Sequence, residues 1–307
     1  MSAGGGTKAI LAALAANAGI AVAKFGGFLF TGSSSMLAEA VHSVADTSNQ
    51  GLLLLGQKTS QRKPTPEHPF GYGRDRYFYS FVVALLLFSL GSVFALYEGI
   101  HKIQHPEPLH AAWVAVVILL IAIGLETFSF ITAIRESKAI KGELTWWQFI
   151  RQAKTPELPV VLLEDFGALI GLVLALGGVG LTVLTGDPVW DGIGTACIGV
   201  LLGAIAIVLI VETKSLLIGE GATREVLDEI VGQLESERVE KVIHIRTQYL
   251  GPDELLIAAK IGISPSLSVA EVAAEIDGAE ARVRAKVPAA RLIYLEPDLE
   301  RGRTATA

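Results

Sequence analysis

The sequence predicts an all-α membrane domain of six transmembrane helices, followed by a small α+β domain. Three observations predict it. Apolar residues make up 51% of the 307 and charged ones only 18%, with a mean hydropathy of +0.51, all on the membrane side of ordinary globular ranges. The apolar excess lies almost wholly before residue 215. Beyond that point the pattern changes to amphipathic helices and alternating strands.

Crossing a hydrocarbon core of about 30 Å takes roughly 20 helical residues. Six segments reach that length, at about 7–31, 35–57, 77–101, 110–134, 158–184 and 191–213. Five are strongly apolar. The second is weakened by Glu39, His42, Asp46, Asn49 and Gln50. The loops set an orientation. The 58–76 connection carries Lys58, Arg62, Lys63, Arg74 and Arg76, and the 135–157 connection carries Arg135, Lys138, Lys141, Arg151 and Lys154. The connections at 32–34, 102–109 and 185–190 hold only Lys102. Basic loops stay inside, so both termini are expected in the cytoplasm. Trp113 and Trp190 fall at the expected outer boundary, where aromatic anchors belong. The opening "MSAGGGTK" lacks a charged leader region, so the first segment reads as a retained helix rather than a signal peptide.

The domain over 216–299 reads as α-β-β-α-β. "REVLDEIVGQLESE" has amphipathic helical spacing, and "KVIHIRTQY", "ELLIAAKIGIS" and "ARLIYLEP" read as strands. Ser268 and Glu271, three apart, are a capping-box signature for the second helix of this domain. Residues 300–307 read as a disordered tail. The single cysteine, Cys197, excludes an internal disulfide and a cysteine-based zinc knuckle. A net charge of −6 disfavours a nucleic-acid partner.

Ionisable residues inside a membrane helix are functional candidates by default, because each costs about 2.5–3.5 kcal/mol to insert. His42 and Asp46, at i and i+4, project from one face of the second span. Glu164 and Asp165 are adjacent in the fifth. At about 1.5 Å per residue, Asp46 lies about 16 Å below the outer boundary and Asp165 about 20 Å below it. The two carboxylates share a depth at which they can share an ion. An imidazole with two or more carboxylates suits Zn²⁺, and less selectively Fe²⁺, Co²⁺ or Mn²⁺. The alternative is a hydrogen-bonded His–Asp pair that locks two helices together.

Around this pair, Glu39 lies one turn outward on the same face, either as an exit-path ligand or facing water. Asn49 and Gln50 continue the polar stripe inward as lining. Glu126 lies deep in the fourth span, with a polar helix face or Lys24 as its partner. Lys24 either snorkels outward or neutralises a site carboxylate. Asp191 reads as an exposed cap at the start of the sixth span. Gly167 and Gly171 form G-x-x-x-G, a close-packing signature. His101, His105 and His110 cluster beside the 102–109 loop with no strong ligand spacing.

With these residues in view, the chain resembles the cation diffusion facilitator family. The resemblance rests on "HSVAD" in the second span, an acidic residue one turn into the fifth, "HPFGYGR" at 68–74 and the terminal α+β domain. It implies a dimeric, proton-coupled exporter of divalent metals, usually zinc, with a cytoplasmic ferredoxin-like domain. The metal is the transported substrate, no cofactor is implied, and the partners are metal ions, protons, the lipid bilayer and a second copy. In a bacterium the location would be the inner membrane. His42 and Asp46 match the family's paired ligands, and Asp165 matches the second ligand of the fifth-helix pair. The first falls at Val161, which cannot bind metal. Glu164 is the substitute at hand, yet it is rotated about 100° from Asp165. This Glu-Asp pair is similar to that of a divergent, mitochondrial-type branch. In the terminal domain, His244 and Glu296 stand at plausible positions for further metal, but Lys260 or Ile261 and Tyr294 stand where other ligands belong.

The reading is of a transporter, not an enzyme. The zincin pattern H-E-x-x-H is absent from the second span, which argues against an intramembrane metalloenzyme. A non-transporting sensor or partner subunit is the remaining alternative, favoured by Val161 and opposed by the retained Asp46 and Asp165.

Overall fold

A computed structural model describes residues 18–299. The part of the first predicted span before residue 18, and the tail from 300 to 307, lie outside the described residues. The chain divides into two units. The first takes residues 1–57 and 78–214, and the second takes 58–77 and 215–307. The connection between the second and third spans therefore groups with the terminal domain.

The described part of the first unit is built of helices. Its first helix is described over Ala18–Thr31. The second runs Ser34–Ser60, the third Asp75–Gln104, the fourth Ala112–Lys141, the fifth Glu157–Thr185 and the sixth Val189–Ile218. The last four, with the fourth counted to Lys138, are long and apolar enough to cross a membrane. The second is long enough, but its polar stripe keeps its hydropathy too low, the weakness its sequence foreshadows. The fourth helix extends well past the predicted end at 134, and the short helix Trp146–Gln152 follows it. What reads from composition as a basic loop is thus largely helical. Thr145 and Gln148 form a capping box at the start of the short helix.

Small residues let the helices approach closely. A Cβ on Gly99 would lie 2.5 Å from the Ala196 nitrogen, and one on Gly199 would lie 2.7 Å from the Leu96 nitrogen. These glycines zip the third helix to the sixth, backbone against backbone. Midway along the third helix, Leu87–Val93 forms a π-helical turn, and there Ser92 Oγ donates to the Gly199 carbonyl at 2.8 Å. Gly167 and Gly171 do mediate close packing. A Cβ on Gly167 would meet Ile205 at 2.7 Å, and one on Gly171 would meet the Glu39 carboxylate at 2.8 Å.

The second unit has the predicted order. The helix Arg224–Leu234 leads to β1 (Val239–Gly251) and β2 (Glu254–Ile263), then the helix Val269–Lys286 and β3 (Leu292–Asp298). β1 and β2 pair antiparallel across a tight turn. β2 and β3 pair parallel, which requires the crossover that the second helix of this unit supplies. Alternation along β2 buries Leu255, Ile257, Ala259 and Ile261, and the first three share a core with Ile230, Leu234, Ala279 and Val283. The Ser268–Glu271 capping box forms as predicted. The "HPFGYGR" stretch packs on the β1–β2 turn, where a Cβ on Gly73 would lie 2.6 Å from the Leu250 carbonyl. Arg76 bonds Asp253 there at 3.4 Å.

Candidate metal site in the helical unit

The second helix carries the site, and its first turn fixes it. Ser33 Oγ accepts from the Met36 N–H at 3.2 Å, a side-chain cap. The next free N–H groups, of Ser34 and Ser35, donate to the Asp191 carboxylate at 2.7 and 3.4 Å. Ser33 Oγ also donates to it, at 2.8 Å. Asp191 is wholly buried, so the exposed cap expected from sequence is corrected. It caps the second helix from the sixth, placing a negative charge at the positive end of the helix dipole. Ser34 Oγ in turn bonds Glu98 of the third helix at 2.8 Å. Lys102 donates to the Gly32 carbonyl at 3.1 Å, closing the end of the first helix.

Below this cap runs a stripe at spacings of three, four and three: Glu39, His42, Asp46 and Asn49. Glu39, His42 and Asn49 are buried, and Asp46 is 18% exposed. Unlike the cap, this stripe is left wanting. Both ring nitrogens of His42, Glu39 Oε1, Asp46 Oδ1 and Asn49 Oδ1 are buried without a hydrogen-bond partner. His42 Nε2 stands 3.5 Å from Asp46 Oδ2, too far for a good hydrogen bond. Buried polar atoms are otherwise almost always satisfied, so five orphans on one helix face mark a place built for something else. Glu39 is not water-facing, as one of the two sequence readings had it. Its other oxygen accepts from Lys24 at 2.9 Å, and Lys24 is itself wholly buried. Of the two readings of Lys24, neutralising a carboxylate is the observed one.

The fifth-helix pair splits, as its 100° offset requires. Glu164 turns to Asn49, whose Nδ2 donates to it at 2.6 Å. Asp165 accepts from Ser129 Oγ of the fourth helix at 2.9 Å. Asp165 and Asp46 both line one cavity of ≈ 20 Å³, together with Ile20, Ser43, Gln50, Glu126 and Ser129. Among the described residues no three His, Cys, Asp or Glu side chains converge closely enough to hold a metal ion in this conformation. His42 and Glu164 flank the cavity without lining it. Glu126 is the residue that the sequence underweighted. Its place in the cavity wall comes from the fourth helix lying against the fifth, a packing that no local motif announces. Val161, one turn before Asp165, packs against the apolar core.

The model of the cation efflux transmembrane domain matches residues 10–218. The chain belongs to the cation efflux family. As a family member with four apolar helices of spanning length, it is an integral membrane protein. It is 35% identical over 258 residues to the proton-coupled zinc antiporter SLC30A9, mitochondrial, of Xenopus laevis, a match covering 83% of this chain and 46% of that one. It is 30% identical over 265 residues to metal tolerance protein C4 of Arabidopsis thaliana, covering 85% of this chain and 58% of that one. The chain thus spans about half the length of these curated relatives. A MamM CTD structure in a nickel form is 22% identical and covers 26% of this chain and all of that one, with a TM-score of 0.24.

In this cation efflux protein, the candidate positions of the terminal domain form one row across the sheet. His244 pairs with Lys260 and Lys260 with Glu296. Lys260 Nζ bonds Glu296 at 2.9 Å and Asp298 at 3.3 Å, while Arg246 Nε donates to His244 Nε2 at 3.3 Å. Cationic side chains thus already engage the groups a metal would need. His101 and His105 stack at 5.0 Å between ring centroids, an aromatic pair rather than a ligand pair.

Proposed function

We propose that the chain exports a divalent metal ion, Zn²⁺ in exchange for H⁺, by alternating access at a site on the second and fifth helices. The observation that carries this reading is the row of unpartnered polar atoms beside the small cavity between Asp46 and Asp165. His42, Asp46 and Asp165 are the ligands in this reading. Glu126 supplies the oxygen that Val161 cannot, and Glu164 is held in reserve by Asn49. Gln50 lines the path. Carboxylates and a histidine gathered in a low-dielectric interior must be compensated by cations or by protons. Metal and protons therefore compete for the same atoms. A histidine, with an ordinary pKa of about 6.5, makes that exchange near neutral pH. Because the site groups do not converge in this conformation, loading would require His42 and Asp165 to close on the ion. That closure is the transport step in this reading.

The excess of lysine and arginine in the 58–76 and 135–157 connections supports a topology with both termini in the cytoplasm. The transport unit, 1–215, then meets its cargo from that side, while 216–299 forms the cytoplasmic part of a homodimer. The location would be the inner membrane of a bacterial cell, and the mitochondrial relatives are compatible with an organellar one. The test is metal uptake into proteoliposomes under an imposed pH gradient, offering Zn²⁺, Fe²⁺, Co²⁺ and Mn²⁺ to the native chain and to Asp165→Ala. Uptake by the native protein, lost by about 100-fold or more in the variant, is the expected result. Equal background in both would move the chain to a sensor or partner role.

A further inference from the structure

Lys24 is used neither as a ligand nor as a surface anchor. Its ammonium is wholly buried between Glu39 Oε2 at 2.9 Å and Ser43 Oγ at 2.8 Å. Ser43 lines the same cavity as Asp46 and Asp165, so the ammonium stands between that cavity and a carboxylate one turn away. Glu39 is not saturated by it, because its Oε1 is buried and unpartnered. Nor is Glu39 crowded out. Gly171 faces that oxygen, and any side chain there would fill the space beside it. Without Lys24, the geometry would offer both oxygens of Glu39, with Ser43 Oγ beside them, as a second place for a cation to stop.

We propose that Lys24 is a tethered cation that sets how many divalent ions the stripe holds. It occupies Glu39 in place of metal, confines the cargo to the Asp46–Asp165 level, and keeps that cargo loosely enough held to leave. This inference rests on the reading of His42, Asp46 and Asp165 as the cargo site. It makes Lys24 a specificity-determining residue that acts by position and fixed charge. A divalent ion entering at Glu39 would have to displace a cation that cannot diffuse away. That is a standing penalty on tight double occupancy, exerted through like-charge repulsion in a low-dielectric interior.

The experiment is equilibrium Zn²⁺ binding to the detergent-solubilised full chain, with Zn²⁺ uptake on the same preparations. Native protein, Lys24→Gln, Lys24→Arg, Glu39→Gln and the double variant Lys24→Gln/Glu39→Gln are compared. Lys24→Gln is expected to bind one more Zn²⁺ per chain than the native protein, and to lower both KM and kcat by about tenfold, within the usual range of coupling between sites. Lys24→Arg and the double variant are expected to return to the native stoichiometry, because one keeps the charge and the other removes the carboxylate. An unchanged stoichiometry in Lys24→Gln overturns the proposal, as does a second ion that persists in the double variant. If Lys24→Gln does not fold, the double variant decides. Native stoichiometry and KM within about threefold support the charge argument, and a lost site overturns it. Failure of every variant to fold would make the pair a scaffold and also overturn it. If the native chain itself binds no Zn²⁺, the cargo site is misassigned, a different failure read from a different sample.

Discussion

The first turn of the second helix and the stripe that follows it both bury polar groups, the first around a carboxylate lent by the sixth helix and the second with carboxylates of its own. They differ in satisfaction. At Ser33–Ser35 the carboxylate of Asp191 takes two N–H groups and a hydroxyl. From Glu39 to Asn49, five polar atoms are buried with nothing to bond. Polar residues in an apolar interior thus serve two ends. When all are paired they hold a helix in place, and those left open are the ones the proposed transport draws on. Composition does not separate the two, but the hydrogen-bond inventory does.

The comparison breaks most visibly in a pair of alanine substitutions. Asp191→Ala removes the acceptor of three bonds to a buried charged group and is expected to destabilise the protein by about 3 kcal/mol or more. That corresponds to a fall of roughly 10 °C in its melting temperature in detergent. Asp46→Ala removes a carboxylate with an orphan oxygen, so its melting temperature should hold or rise while Zn²⁺ uptake disappears. Thermal unfolding and uptake measured on both variants make the check. If Asp46→Ala melts as early as Asp191→Ala, the stripe is scaffold after all.

A smaller effect sharpens the same contrast. His42→Asp keeps the position but exchanges a nitrogen donor for an oxygen one. The preference for Zn²⁺ over Mn²⁺ in uptake is expected to fall by about tenfold, because oxygen-rich sites favour harder ions. An unchanged metal profile would remove His42 from the ligand set.

The legible parts of this molecule are those that depend on local pattern. The order of helices and strands follows from hydrophobic period, and the Ser268–Glu271 capping box from two residues three apart. The pairing of Asp46 with Asp165 in one cavity was within reach of depth arithmetic, since rise per residue is fixed. What escaped depends on which helices lie side by side. Asp191 looked like an exposed cap because its partners, Ser33–Ser35, lie more than 150 positions away. Glu126 reads from sequence as a deep residue partnered by Lys24 or a polar helix face, because only the packing of the fourth helix against the fifth brings it to the cavity. The helical course of the chain after residue 134 was hidden by basic residues, which a helix end tolerates as readily as a loop does.

The terminal domain offers the smallest effect and the opposite sign of the comparison, a charged cluster that is already closed. Hydrogen bonds to Glu296, and then to Asp298, hold the Lys260 ammonium above its ordinary pKa of 10.5. The Ser268 backbone and hydroxyl hold the Glu271 carboxyl below 4.5. A raised lysine stabilises fully below its unfolded pKa, and that contribution is lost as pH rises through the folded value. A lowered carboxyl stabilises above its unfolded pKa and loses that contribution as pH falls through the folded one. The two contributions should therefore be constant from about pH 5 to pH 10, and fade only outside that window. Lys260→Met is expected to lower the melting temperature of the full chain slightly near neutral pH, and to make no difference well above pH 10.5, where the native lysine has lost its proton. Scanning calorimetry at the two pH values makes the comparison. The same variant should leave Zn²⁺ binding unchanged, because the carboxylates it releases, Glu296 and Asp298, remain partly open to water and His244 beside them stays engaged by Arg246. A Zn²⁺ ion gained by Lys260→Met would mean that the lysine, like Lys24 in the helical unit, stands where a metal can bind.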